Sequence, residues 1–399
     1  MNRILSIKKS EDIVKEFKNI GVTSGGIVSM SQKVNSIALK LKDIRIGAAN
    51  IIKQDMLSIG GDAAVSRGVV DGKVDRSDVI ILGNLHKIKL LLKKLSHQDI
   101  FEIPQICKSI ARLIQIETDI KKKQIKARGH ILPLNRTLIM GILNVSPDSF
   151  YDGGKYTTLY SALTQIEKMV EQGADIIDIG GQSTRPYSQK ISSEEEVSRV
   201  MPVIEKAISK FDIPISIDTY KSEVARTALQ TGIHIVNDIS ALRFDKNMAS
   251  NIAKFPDVPV ILMHIKGTPQ NMQDNPIYDD VIEEILEYLN ESIKIARDAG
   301  IKDENIIIDP GIGFGKRVKD NVKIIQKISE FRCLDKPILL GCSNKSFIGK
   351  ILDTEKEQRL EGTLAANAFA ILNGVNIIRV HEVAEHKKIS QMIDYLIKE

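Results

Sequence analysis

From residue 136 onward, short runs of β-branched and aliphatic residues alternate with amphipathic segments. The runs Leu138–Leu143, Ile176–Gly180, Ile213–Asp218, Ile235–Asn237, Val260–His264, Ile306–Asp309, Ile338–Gly341 and Ile377–His381 read as strands, since each is short and apolar almost throughout. Stretches with helical spacing of apolar residues lie between most of them, among them Leu159–Gln172, Glu194–Lys210, Tyr278–Ala299 and Gly362–Leu372. Eight such units in about 260 residues predict a TIM (β/α)8 barrel, a fold of typically about 250 residues. Continuous apolar strands also suit a parallel sheet covered on both faces. A doubly wound open sheet is the alternative.

Before residue 130 the pattern is mostly helical. Val28, Val34, Ile37, Ala38, Leu41 and Ile44 recur at helical spacing, as do Ile103, Cys107, Ile110, Leu113 and Ile114. Between them Asp78–Gly83 reads as one buried strand and Gly60-Gly61-Asp62 as a turn. The dense basic stretch Lys121–His130 marks a boundary. The expected architecture is therefore α/β, with a smaller, mainly helical α/β domain over 1–130 and the barrel over 131–399.

Composition narrows the class. The chain has 399 residues, 43% of them hydrophobic and 27% charged, which excludes disorder over most of its length. No apolar run approaches the ~18 residues of a spanning helix, so no membrane partner is expected. The opening residues carry charges before any apolar run, and no secretory leader is expected. Cys107, Cys333 and Cys342 are too few and scattered for a disulfide framework or a zinc site, which points to the reducing cytoplasm. Residues 1–130 hold 24 Lys and Arg against 13 Asp and Glu, and residues 131–399 hold 32 against 38. Without interleaved aromatics the basic front reads as a solvated lysine-rich surface, and nucleic acid is not an expected partner.

The chemistry collects where a barrel builds its active site, at the C-terminal strand ends. In order these carry Asn144, Gln182-Ser183-Thr184-Arg185, Asp218-Thr219, Asn237-Asp238, Met263-His264, Asp309 to Lys316, Ser343 to Ser346, and Arg379-Val380-His381. Asp218, Asn237 and Asp309 are compact acceptors that can read a flat heterocycle with adjacent N–H groups. Arg379, His381 and Asn144 suit a phosphate group and its metal ion. Lys345 adds a charge or a hydrogen bond to a ring carbonyl.

These motifs make a resemblance specific. Met140–Gly154 (MGILNVSPDSFYDGG), Asp178–Pro186 (DIGGQSTRP), Ser216–Ala225 (SIDTYKSEVA), Val236–Ser240 (VNDIS), Leu262–Gln273 (LMHIKGTPQNMQ), Asp309–Lys316 (DPGIGFGK), Ser343–Gly349 (SNKSFIG) and Arg379–Val383 (RVHEV) follow the order found in dihydropteroate synthases. Residues 137–399 resemble that pterin-binding barrel family.

The resemblance implies a transferase of folate biosynthesis. It would condense 4-aminobenzoate with (7,8-dihydropterin-6-yl)methyl diphosphate, giving 7,8-dihydropteroate and diphosphate. It implies Mg2+ on Asn144, and pterin contacts from Asp218, Asn237, Asp309, Lys345 and Met263. Diphosphate contacts would come from Arg379, Val380, His381 and Thr184, and a 4-aminobenzoate pocket from Arg185, Pro186, Phe314 and Ser346. Phe150 and Asp152 would close over the reacting centre, and Asp152, Arg185 and Lys345 would form the catalytic set. A homodimer is implied as well. Gln182, Tyr187, Asn344, Glu382 and Ser146 depart from the usual Glu, Gly, Arg, Asp and Thr, and losing the Arg at 344 removes a positive charge near the site. The alternatives are a pterin-dependent methyltransferase, whose substrate carries no diphosphate, and a non-catalytic pterin-binding protein.

Overall fold

The computed structural model describes residues 10–118, 124–145 and 155–398, with positions 3, 5 and 7 before them. The chain divides into two compact units, 1–120 and 121–399.

The first unit contains α1 (Ser10–Asn19), α2 (Ser24–Ser31), β1 (Ser36–Arg45), α3 (Ile46–Ser58), β2 (Asp62–Val65), α4 (Arg67–Asp71), β3 (Arg76–Asn84), α5 (Leu85–Leu95) and α6 (Ile103–Thr118). Its antiparallel sheet has the order β1-β3-β2, and Ile52, Met56, Ile81, Leu91 and Ile110 are among its buried core residues. The helical reading of residues 34–44 is corrected here. Ile37 and Leu39 face the core as half-buried residues and Leu41 is buried, at the spacing of two that a strand requires. The register then shifts between Leu41 and Ile44, so Ile44 also turns inward. That bulge is what gave the apolar positions an apparent helical spacing. The turn at Gly60-Gly61 is present, with Gly60 at φ +72° leading into β2.

The second unit opens with a hairpin of β4 (Gln124–Ala127) and β5 (His130–Pro133). Eight parallel strands follow: β6 (Leu138–Asn144), β7 (Ile176–Gly180), β8 (Ile215–Asp218), β9 (Ile235–Asp238), β10 (Val260–Met263), β11 (Ile306–Asp309), β12 (Leu339–Leu340) and β13 (Ile377–Val380). They pair in chain order from β6 to β11, and β13 lies between β6 and β12. A single parallel bridge between Ile308 and Ile338 joins β11 to the start of β12, so the ring is nearly closed. The outer layer is α7 (Lys155–Glu171), α8 (Ser193–Lys210), α9 (Ser222–Thr231), α10 (Met248–Ala253), α11 (Val281–Asp298), α12 (Val318–Gln326), α13 (Ser346–Leu352), α14 (Leu360–Leu372) and α15 (Val383–Lys398). Isoleucines dominate both the interface between strands and helices and the layer inside the barrel floor.

The unit boundary precedes the one read from charge by ten residues, and the hairpin explains why. Ile125, Ala127 and Leu132 pack on Leu138, Met140, Ile176, Ile235, Ile261, Ile307, Leu339 and Ile377, the first inward layer of the barrel. Arg128 fastens the hairpin tip through Nη1 to the carbonyls of Leu229 (2.9 Å) and Ile233 (3.1 Å). No helix among the described residues is long and apolar enough to cross a membrane.

Candidate active site

Parallel pairing brings the polar strand ends together. Asp218 at the end of β8 lies beside Gly180 on one side and Asn237 on the other, while Met263 and Asp309 are neighbours at the ends of β10 and β11. Arg379, near the end of β13, reaches across this ring. Its Nε donates to Asp178 Oδ2 at 2.6 Å and its Nη2 to Asp218 Oδ2 at 2.7 Å. Asn237 Nδ2 donates to the same Asp178 oxygen at 3.0 Å. The second oxygens, Asp178 Oδ1 and Asp218 Oδ1, are buried with no hydrogen-bond partner among the described residues. Buried acceptors without partners are rare in folded proteins, and these two oxygens remain open to a ligand's donors.

Asp309 is anchored from below by the Gly311 N–H, which donates to Oδ1 at 2.7 Å. Gly311 has φ +70°, and a Cβ there would stand 1.9 Å from the His264 carbonyl oxygen, so only glycine makes this turn. Burial pushes the Asp309 carboxyl up to about 6, against the Gly311 N–H and Lys345. Burial likewise raises Asp218 to about 7, opposed by Arg379 and reinforced by Asp178. Lys345 is lowered to about 8 by burial, then by Arg379, against Asp309. Its ammonium lies 4.2 Å from the centre of the Phe314 ring. The carboxylates and cations thus hold each other in an environment where small changes in charge have large effects.

The remaining expected residues fall as follows. Thr184 is half-buried, and Arg185 and Pro186 are exposed, in the loop after β7. Tyr187, at φ +62°, ties that loop to the one after β10: its N–H donates to the Pro269 carbonyl at 3.0 Å and its hydroxyl to Asp274 Oδ1 at 3.2 Å. Phe314 is buried and Ser346 is exposed at the first turn of α13. Val380 packs in the core between strands and helices, so its side chain is not at the mouth. His381 is exposed beside Ser343 rather than next to the Arg379 guanidinium, which is drawn inward. Asn144 is exposed at the end of β6. Phe150, Asp152 and Ser146 lie outside the described residues.

Two departures prove to be one feature. Asn344 Nδ2 donates to Glu382 Oε1 at 2.9 Å, so the residues standing for the family's Arg and Asp are bonded to each other. Gln182, buried, donates from Nε2 to the Tyr220 hydroxyl at 2.9 Å. Two further residues escaped the sequence reading. Asp178 is fully buried and joins Arg379 to Asn237; a carboxylate between Ile177 and Ile179 in an apolar strand was the available signal. Lys316 is buried, with its Nζ 2.9 Å from His264 Nδ1 and donating to the Phe314 carbonyl at 3.0 Å, and burial lowers it well below the ordinary lysine value.

The parallel barrel, with buried acceptors and an arginine converging at its C-terminal strand ends, lies within the residues 140–381 that match the pterin binding enzyme family profile. A dihydropteroate synthase of Clostridium beijerinckii is 46% identical over 264 residues, covering 66% of this chain and 95% of its own length. The solved Xanthomonas albilineans dihydropteroate synthase with 4-aminobenzoic acid superposes with a TM-score of 0.66 at 40% identity, over 70% of this chain and 100% of that one. A probable bifunctional folylpolyglutamate synthase/dihydropteroate synthase of Haloferax volcanii is 37% identical over 347 residues, 85% of this chain and 41% of its own length. That last match is longer than the barrel unit and so extends into the first unit. The chain belongs to the dihydropteroate synthase family, transferases of folate biosynthesis.

Proposed function

We propose that the barrel joins 4-aminobenzoate to the methylene carbon of (7,8-dihydropterin-6-yl)methyl diphosphate and releases diphosphate. The observation that carries this reading is the cluster of Asp218, Asn237 and Asp309, with Asp218 Oδ1 buried and unpartnered. A dihydropterin presents adjacent N–H donors, and two buried carboxylates with an amide between them match that edge. Met263 packs on the ring and Lys345 meets its carbonyl. Arg379, His381 and Thr184 hold the diphosphate, and Val380 contributes through its backbone only. Arg185, Pro186, Phe314 and Ser346 wall the pocket for the second substrate, and the Xanthomonas albilineans enzyme solved with 4-aminobenzoic acid supports 4-aminobenzoate as that substrate.

Among the described residues no group of three or more His, Cys, Asp or Glu is placed to hold a metal. Mg2+ does not need one, because it keeps several waters and takes phosphate oxygens. The exposed Asn144 amide fits as its one protein ligand. When bound, the ion supplies positive charge beside the diphosphate.

In the reaction the bond from the methylene carbon to diphosphate oxygen breaks, the bond to the aniline nitrogen forms, and that nitrogen loses a proton. Arg379 and His381 favour the charge that builds on the leaving group. Asp152 favours the pterin cation that forms as the bond breaks. The aniline nitrogen is nucleophilic as it stands, so no covalent enzyme intermediate is needed. Pyrophosphate release on mixing both substrates tests the reading. A methyltransferase would release none, and a non-catalytic binder would take up the pterin without turnover.

Asp152→Asn is expected to lower kcat much more than affinity for the pterin diphosphate, because the cation exists only as the bond breaks. Equal losses in both would make Asp152 a ground-state contact. The homodimer is proposed through α14 and α15, which pack together and expose Phe369, Leu372, Met392, Tyr395 and Leu396. Large exposed apolar side chains on two helices packed together suit an interaction surface. Leu396→Glu should give a monomer by sedimentation velocity; a monomeric parent, or an unaltered dimer in the variant, removes this interface. The cytoplasm is the proposed compartment, consistent with three cysteines none of which forms a disulfide.

A further inference from the structure

The surroundings of His381 fix more than its position. Ser343 Oγ lies 2.9 Å from His381 Nδ1 and 3.3 Å from Glu382 Oε2, and the His381 backbone N–H donates to the same hydroxyl oxygen at 3.3 Å. A serine hydroxyl has one proton and two lone pairs. A carboxylate only accepts, so the Ser343 proton goes to Glu382 Oε2. The two lone pairs are then left for the backbone N–H and for Nδ1, and Nδ1 must carry a proton to donate. Glu382 is held in place from its other oxygen by Asn344 Nδ2, and Asn344 is held in turn by Arg359 Nη1 on its carbonyl at 3.2 Å.

We infer that Glu382, acting through Ser343 Oγ, is a positioning residue that fixes His381 as the Nδ1–H tautomer, leaving Nε2 bare to take up one proton from solvent as an ionised diphosphate binds. The inference rests on the reading that His381 faces the diphosphate. Among the described residues, the charged groups bearing on the ring include Arg379 and Glu382 from its own strand end, Lys345 from the loop after β12, and Lys356 from the turn Lys356–Gln358. At about pH 7.5 an ordinary imidazole is uncharged, so the ring is neutral before ligand arrives. A bare Nε2 lone pair repels phosphate oxygens, and a proton there converts repulsion into a charge-assisted hydrogen bond. The proton returns to solvent when diphosphate leaves, so none is consumed over the cycle.

Glu382→Gln reverses the arrangement in a way that Asn344 dictates. The Asn344 Nδ2 donor requires the new amide's oxygen, which turns the NH2 end toward Ser343. Ser343 then accepts from that amide and donates to Nδ1, and His381 becomes the Nε2–H tautomer. Nitrogen-15 NMR of the imidazoles in the full chain, at about pH 7.5, reads the tautomer without any ligand. Calorimetric titration with inorganic pyrophosphate in buffers of different ionisation enthalpy counts protons, with His381→Asn giving the ligand's own contribution for subtraction. The parent is expected to show Nδ1–H and an uptake of about one proton at His381, and Glu382→Gln to show Nε2–H and an uptake of nearly none. An Nε2–H parent, or an unchanged tautomer in Glu382→Gln, overturns the inference. The expected tautomers with no uptake in the parent overturn the role of His381 at the diphosphate instead.

Discussion

Asp309→Asn is expected to weaken binding of the pterin diphosphate about ten- to a hundredfold while leaving the unliganded protein at least as stable as the parent at about pH 8. The affinity loss follows from placing an amide donor against the pterin's N–H donors, at the cost of a charge-assisted bond of about 1.5–3 kcal/mol. The stability arises from burial. Asp309 has its carboxyl raised from 3.8 to about 6 in the folded protein, so the fold prefers the protonated form. Its contribution to stability is fully present below the unfolded pKa and is lost as pH rises through about 6. The asparagine amide does not ionise, and its oxygen can still accept the Gly311 N–H. Thermal melts of both proteins should therefore separate in favour of the variant above about pH 6 and converge toward pH 4. Calorimetry showing unchanged pterin affinity would remove Asp309 from the ring's edge.

Arg379→Ala has the larger structural cost. It leaves Asp178 and Asp218 buried without the cation that bridges them, and an uncompensated buried charge costs about 3–5 kcal/mol. Arg379 is the main influence holding Asp218 down, so its loss raises that carboxyl beyond the value of about 7 it has in the parent. A raised carboxyl favours the fold at low pH and opposes it above the folded pKa. The deficit in urea unfolding should accordingly be greatest near pH 8 and shrink toward pH 5. Ligand binding should fail at both ends of the substrate. Read from sequence alone, Arg379 touches only the diphosphate, and its removal would spare an unphosphorylated hydroxymethyl pterin. The observed bridge predicts that this ligand is weakened together with pyrophosphate. A pH-independent deficit, or unimpaired binding of the hydroxymethyl pterin, would contradict the bridge.

That contrast shows where sequence reasoning reached its limit. The barrel was legible because the strands are short, mostly apolar runs with polar residues at or just beyond their C-terminal ends. The acceptors Asp218, Asn237 and Asp309 were visible for the same reason. Asp178 is hidden from a reading of strand ends because it lies inside β7, two residues before the strand's last residue. The bond between Asn344 and Glu382 joins positions 38 apart, and each residue alone looks like an isolated departure. In the first unit a bulge disguised β1 as helix. The hairpin was not visible in the sequence because the dense charge of Lys121–His130 reads as a boundary, although Ile125 and Ala127 alternate inward as strand residues do.

The hairpin also sets an order on how the protein can be made. It precedes every barrel strand in the chain, and the inner layer it covers is complete only when Ile377 on β13 has paired with Leu138 on β6. On the ribosome the floor of the barrel is therefore synthesised before any strand it packs on, and its last partner, Ile377, arrives near the end. Throughout elongation its buried face, with Ile125 and Leu132, waits for partners, while the first unit already has its whole core in hand. Closing a ring whose first and last strands are neighbours places the slow, long-range contact at the end of synthesis. This gives the nascent chain an early folded head and a late-closing body.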